Sequence, residues 1–202
     1  MVALRRLRPL AGRSRRYPLL WALLLWHLVY PLMGPGAQAD GLWEDDRQRL
    51  NIGLKLFPAC LAADQGLADK RDERGRLLVL TLHGDSPRAA DTVASDLRGV
   101  GEVQGYPLEV AVVPADRLAD YRDRKVAAMF LATPGMALAS IVAEARGHRA
   151  LVFSPFPGDV ERGAVAGIQV TDRILPYVNL RQAERAQIRF KPFFLRVAAS
   201  YE

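Results

Sequence analysis

The feature that most constrains this chain is a repeated alternation of short, continuously apolar segments with segments of helical periodicity. Apolar runs of this kind are typical of strands buried on both faces of a sheet, and the intervening helices supply the two covering layers. The predicted strands are residues 77–82, 108–113, 126–132 and 150–154, and the predicted helices are residues 86–98, 115–123 and 135–147. The alternation therefore predicts a mostly parallel sheet flanked by helices.

The two ends of this pattern differ from its centre. Apolar positions recur at helical spacing over residues 42–64, and Pro58 is expected to kink or split that helix. After residue 163 two apolar runs, 164–170 and 173–180, predict an antiparallel hairpin, in which Pro176 favours an edge position. The chain then ends in predicted helices interrupted near Lys191. The fold class is α/β, a single compact domain.

The first 39 residues have the features of an export signal. They hold six arginines and no acid, then an apolar stretch over residues 17–33, then Ala37-Gln38-Ala39 as a cleavage pattern. We therefore predict a signal peptide over residues 1–39, a mature domain over residues 40–202 and a periplasmic location. An uncleaved anchor helix is the alternative, because the apolar stretch is close to the lower limit for spanning a bilayer.

The basic character of the chain comes entirely from this N-terminal segment. The sequence has 28 Lys+Arg and 22 Asp+Glu, and removing the six arginines of residues 1–39 leaves 22 of each. A predicted mature domain with no net charge gives no support to nucleic-acid binding, which needs an excess of basic residues. We therefore expect no nucleic-acid partner.

A candidate ligand crevice follows from the expected sheet, because open α/β sheets bind ligands at the carboxyl ends of their strands. Ser86 and Thr133 are interpreted as starting helices there, where backbone N–H groups favour anions. His83 is either a general base or a hydrogen-bonded structural residue. The candidate crevice residues are His83, Asp85, Ser86, Thr133 and Ser154.

No motif in the sequence indicates a catalytic site. There is no G-x-S-x-G and no phosphate-binding P-loop pattern, and the single Cys60 excludes an intramolecular disulfide. Asp159 and Glu161 are two residues apart in a Gly/Pro-rich stretch, where solvation is more common than paired catalysis. We predict neither catalytic residues nor a metal or cofactor, and we favour a binding protein over an enzyme.

The C-terminal part resembles the closing segment of the YfiR/HmsC-like family of exported bacterial regulatory proteins. That family has a Gly/Ile-rich strand, a strand ending in an Asn-Leu type dipeptide, and two closing helices with alanine and leucine at set positions. The residues in those places here are Gly167, Ile168, Asn179, Leu180, Ala183, Ala186, Ile188, Leu195 and Ala198. The segment around Gly84-Asp85 looks like the turn after the family's first strand.

The resemblance implies a periplasmic protein that modulates a membrane-bound signalling enzyme, a diguanylate cyclase or a sensor kinase, by protein–protein contact. Its expected partner is an inner-membrane protein with a periplasmic sensor region, and self-association into a homodimer stays open. No stable membrane insertion is expected after cleavage. The redox control by paired cysteines that some members have needs more than the one cysteine present. The alternative function is a small solute-binding protein that uses the strand-end crevice.

Overall fold

The computed structural model describes the backbone of residues 36–202 and the side chains of residues 44–202. The first 35 residues of the predicted signal lie outside the described part, so the signal and its cleavage stay predictions. Residues Trp43–Glu202 form one compact unit. None of the helices in the part that the structure describes combines the length and apolar character needed to cross a bilayer.

Eight strands form a single mixed sheet in the order β2-β3-β1-β4-β5-β6-β7-β8. Pairing is parallel from β3 through β6, antiparallel between β6 and β7, and parallel again between β7 and β8. The strands are β1 Leu77–His83, β2 Glu102–Val103, β3 Tyr106–Pro114, β4 Ala128–Leu131, β5 Leu151–Ser154, β6 Ala166–Val170, β7 Ile174–Asn179 and β8 Ala199–Tyr201. The helices are α1 Gly36–Ala62, α2 Arg88–Val100, α3 Leu138–His148, α4 Asp159–Arg162, α5 Leu180–Arg185 and α6 Pro192–Leu195. The predicted fold class is confirmed.

The three central strands are apolar along their whole length because both faces of the sheet are covered. Every residue of β1, β4 and β5 is buried. Helix α1 packs on these strands through Phe57. Its ring lies edge-on to those of Phe130 and Phe153, with 5.4 Å between the ring centroids in each pair. A Cβ at Gly53 would come within 2.8 Å of Pro155 Cβ, so glycine lets α1 approach the end of β5 closely.

The structure corrects several predicted boundaries. Helix α1 continues through Pro58 and is not split. The segment predicted as a helix over residues 115–123 is a 3-10 helix over Ala115–Tyr121. A hairpin that the sequence analysis missed joins β2 to β3 through Gln104 and Gly105, both with positive φ, as a tight hairpin turn requires.

The C-terminal hairpin is also not at the sheet edge. Residues Ala199–Tyr201, predicted as helical, form β8 and pair with β7 from Tyr177 onward. Strand β7 is therefore not the outermost strand. Pro176 itself still has a free side, because it pairs with Ile168 of β6 while the pairing with β8 begins one residue later, and its missing N–H is tolerated there.

Candidate functional site

Two of the predicted crevice residues meet at the carboxyl ends of β1 and β4. The imidazole Nδ1 of His83 donates to the Gly84 carbonyl oxygen at 2.6 Å, and the Gly84 N–H donates to Thr133 Oγ1 at 3.0 Å. His83 is buried, whereas Gly84 is exposed. Because a carbonyl oxygen can only accept, Nδ1 carries a proton in the first contact. The two contacts connect His83 to Thr133 through Gly84.

The expected helix N-termini are not at Ser86 and Thr133. Helix α2 begins at Arg88 after Pro87, so Ser86 does not cap it. Helix α3 begins at Leu138, five residues after Thr133. Asp85 and Ser86 are both exposed in the turn after β1. Neither residue is therefore supported as part of an anion site built on a helix start.

Ser154, at the end of β5, is fully buried and belongs to a hydrogen-bonded turn. Its hydroxyl donates to Asp159 Oδ2 at 2.5 Å and accepts from the Phe156 N–H at 3.2 Å. The Asp159 carboxylate also accepts a hydrogen bond from Arg162. Because its hydroxyl is used inside this turn, Ser154 orders the path from β5 into α4.

This turn corrects the prediction that Asp159 faces solvent. Asp159 is 3% exposed, while Glu161 is exposed. The two carboxylates have different neighbours: Asp159 contacts Ser154 and Arg162, whereas Glu161 lies beside the Tyr177 phenol. Burial raises the pKa of the Tyr177 phenol, and the nearby Glu161 carboxylate raises it further. The structure thus separates the two acids.

Two residues that the family resemblance singled out have structural roles in the same region. The amide of Asn179 donates to the Val160 carbonyl at 2.7 Å, and its side-chain oxygen accepts from the Gln182 N–H at 2.9 Å, which caps α5. Gly167 pairs with Ser154 across β5 and β6, and any Cβ at position 167 would overlap the Ser154 carbonyl oxygen. Both residues fix the connection between the parallel sheet and the hairpin.

The most distinctive surface lies at the β7–β8 side of the sheet. We call it the C-terminal apolar edge and define it as Val170, Ile174, Phe193, Leu195 and Val197, all exposed. Val170 and Ile174 are direct partners in the β6–β7 register. The other three residues come just before β8. Since β8 runs parallel to β7 from Tyr177 onward, these residues lie at the end of the sheet where β7 begins.

The described side chains include neither a metal-binding cluster nor an accessible thiol. Among residues 44–202, no group of three or more His, Cys, Asp or Glu side chains is arranged to hold a metal ion. The single thiol, Cys60, is buried, and burial raises its pKa to about 12, so it is a poor nucleophile. Sequence reasoning missed the C-terminal apolar edge because exposure, not composition, distinguishes these residues from the core.

Comparison with known proteins gives little information. No protein-family model and no curated protein matches the chain. Among solved structures, the ABC domain in complex with L-Trp from Streptococcus pneumonia is 14% identical over 66% of this chain, with a TM-score of 0.49. The match covers 59% of that protein, less than two thirds of its length. A likeness this distant carries no inference about function, so the resemblance to the YfiR/HmsC-like family stays a prediction.

Proposed function

We propose that this protein is a periplasmic regulatory binding protein that modulates an inner-membrane signalling enzyme by protein–protein contact. The observation that supports it is the C-terminal apolar edge. Phe193 and Val197 are 57% and 59% exposed, and three more exposed apolar side chains lie at the same end of the sheet. Single exposed apolar residues are ordinary on monomers, but several at one end of a sheet favour an interaction surface.

The composition of the C-terminal apolar edge is typical of a transient protein–protein contact. Arg196 lies between Leu195 and Val197, and Arg181 donates to the Glu202 carbonyl beside β8. An apolar centre with a charged rim is the usual anatomy of a protein interface. Such a module changes the activity of its partner only if it binds one state of the partner more tightly than the other. The predicted partner has a periplasmic sensor region and a cytoplasmic diguanylate cyclase or kinase domain.

Affinity capture with matched variants tests this proposal. The full-length tagged chain is used to capture proteins from detergent-solubilised membranes, beside Val197→Asp and the control Val100→Asp. Val100 is also exposed, at 42%, but lies at the end of α2, outside the apolar edge. We expect one membrane protein with a sensor region and a signalling domain, lost with Val197→Asp and retained with Val100→Asp. Equal recovery by both variants would contradict the proposal.

The solute-binding alternative is supported by one observation, the shared hydrogen bonding of His83 and Thr133 through Gly84. It places an imidazole beside an exposed glycine at the carboxyl ends of two parallel strands, where α/β proteins bind ligands. A thermal-shift screen of small polar metabolites tests this alternative. A stabilising ligand whose effect disappears in His83→Gln, but persists in Val197→Asp, would favour it over the regulatory function.

A further inference from the structure

A concave surface lies at the opposite end of the sheet from His83 and Thr133. This open groove, about 500 Å³ in volume, includes Val126 just before β4 and Arg149 just before β5. We call it the amino-end groove, since it lies at the amino ends of these parallel strands. Its size is in the range that accommodates a small organic ligand. The basic residues that line it are Lys70, Arg122, Arg124, Lys125, Arg149 and Arg189.

These six cations fall into two groups. Arg122 pairs with Glu144 at 2.5 Å, Arg124 pairs with Glu109 at 2.7 Å, and Lys70 pairs with Asp64 at 2.5 Å. Within residues 44–202, no carboxylate lies within ion-pair distance of the other three, which are Lys125, Arg149 and Arg189. The groove therefore carries cations that the fold itself does not neutralise.

The charge is concentrated around the buried Lys70–Asp64 ion pair. Both side chains are almost fully buried, with exposed fractions of 8% and 1%. Burial lowers the pKa of the Lys70 ammonium, and the nearby positive charge of Arg149 lowers it further, whereas Asp64 opposes both effects. The carboxylate of Asp64 therefore offsets one of the cations of the groove. Two further carboxylates line the groove itself: Asp69, on the same 3-10 helix as Lys70, and Asp123.

The backbone conformation of Arg149 is one that normally selects glycine, and this favours a functional role for the arginine side chain. Arg149 adopts the left-handed conformation, φ 55° and ψ 31°, at the C-cap of α3. Glycine is the residue normally found there, because a Cβ in this conformation costs about 1 kcal/mol. Gly147, the predicted end of this helix, lies inside α3 instead. Gln187, a second groove residue, also has a positive φ of 56°.

The position of Arg149 at the C-terminus of α3 partly explains why a cation is found there. The carbonyl end of α3 favours a positive charge nearby, and Arg149 satisfies that preference. It does not account for Arg189 or Lys125, which lie on other segments of the chain. The six lining cations outnumber the two lining carboxylates and the three carboxylates that pair with them, and this excess of positive charge favours an anionic ligand such as a phosphate group. Guanidinium groups also match the geometry of phosphate oxygens.

We propose that the amino-end groove binds the phosphate group of a small molecule, held by Arg149 and Arg189 beside the Lys70–Asp64 ion pair. This site is independent of the C-terminal apolar edge and of the crevice near His83. The fold brings the binding groups together from three separate segments: the 3-10 helix Leu67–Lys70, the end of α3, and the loop between α5 and α6.

Calorimetric titration of the full-length chain in a mild detergent tests the proposal, with inorganic phosphate as the probe and acetate as the carboxylate comparison. The diagnostic variant is Arg149→Gly, because glycine accepts the left-handed backbone and removes only the cation. Arg88→Gln is the matched control, since Arg88 is an exposed cation that begins α2 near the other end of β1.

We expect saturable phosphate binding that Arg149→Gly weakens about tenfold or more, as loss of a charge-assisted hydrogen bond implies. Arg189→Gln should show a similar loss, while Arg88→Gln should stay within about twofold of the wild type. Cooperative melting curves with Tm values no lower than that of the wild type would show that the variants are folded, and Arg149→Gly should melt slightly higher because glycine relieves the left-handed backbone. The proposal is overturned by the absence of saturable binding, by equal losses in Arg149→Gly and Arg88→Gln, or by acetate binding as tightly as phosphate.

Discussion

Replacing Gly167 by alanine tests the packing where the parallel sheet meets the C-terminal hairpin. A Cβ at this position would overlap the Ser154 carbonyl oxygen and come within 2.7 Å of Val160 Cγ2, well inside ordinary van der Waals contact. The Ser154 carbonyl oxygen belongs to the backbone of the neighbouring strand, β5. It cannot retreat without disturbing the β5–β6 pairing.

The expected cost is at the upper end of overpacking effects, about 3 kcal/mol of unfolding free energy. At about 2–4 °C per kcal/mol for a domain of this size, Tm should fall by about 6–12 °C. Urea denaturation followed by far-UV circular dichroism measures the change. The m value, which is the dependence of the unfolding free energy on urea concentration, should stay constant if the native fold is kept.

The same substitution at Gly99 provides the control. Gly99 lies in α2, has no positive φ, and a Cβ there would meet nothing within 4 Å. Gly99→Ala should therefore stabilise the protein by about 0.5–1 kcal/mol, since alanine is the better helix former. Opposite signs at the two positions would support the described packing. Equal effects, or an unchanged midpoint for Gly167→Ala, would refute the reasoning.

Three further predictions concern buried polar groups. Asp159→Ala should cost about 2 kcal/mol because it leaves the buried Ser154 hydroxyl without an acceptor, while Glu161→Ala should change stability by less than about 0.5 kcal/mol; equal denaturation midpoints would restore the view that both acids are solvated. Lys70→Met should cost about 3–5 kcal/mol by leaving Asp64 as an uncompensated buried carboxylate, and a double variant with Asp64→Leu should recover most of that loss in a double-mutant cycle. Because burial raises the pKa of Cys60 from 9.0 to about 12, its contribution to stability is complete below pH 9 and is lost as pH rises toward 12; Cys60→Ala should show a smaller alkaline loss in pH-dependent denaturation, and a parallel loss would contradict the burial of this thiol.

The parallel core was predictable because its signal is local. A strand buried on both faces needs apolar residues at every position, and residues 77–82 and 150–154 show this without reference to the rest of the chain. The boundaries of these strands differ from the prediction by a residue or two. The edge of the sheet was less predictable, since the sequence of Ala199–Tyr201 carries no sign of the strand that it pairs with.

The candidate sites were predicted less well, because each depends on contacts between distant segments. Asp159 looked solvated from its Gly/Pro-rich context, yet Ser154 and Arg162 hold its carboxylate in a buried turn. In the amino-end groove, Lys70 and Arg149 are about 80 residues apart in the sequence. No spacing pattern relates such residues, and only the parallel connections bring them to the same end of the sheet.

The sequence by itself determined the fold class of this protein, because hydrophobic periodicity records which faces of each strand and helix must be buried. The tertiary structure decided which polar and apolar side chains remain available at the surface. Burial of Asp159, exposure of Phe193 and Val197, and the gathering of Lys70, Arg149 and Arg189 all result from the packing of segments that are distant in the chain. Binding surfaces depend on that packing, since they are formed by what the core leaves uncovered.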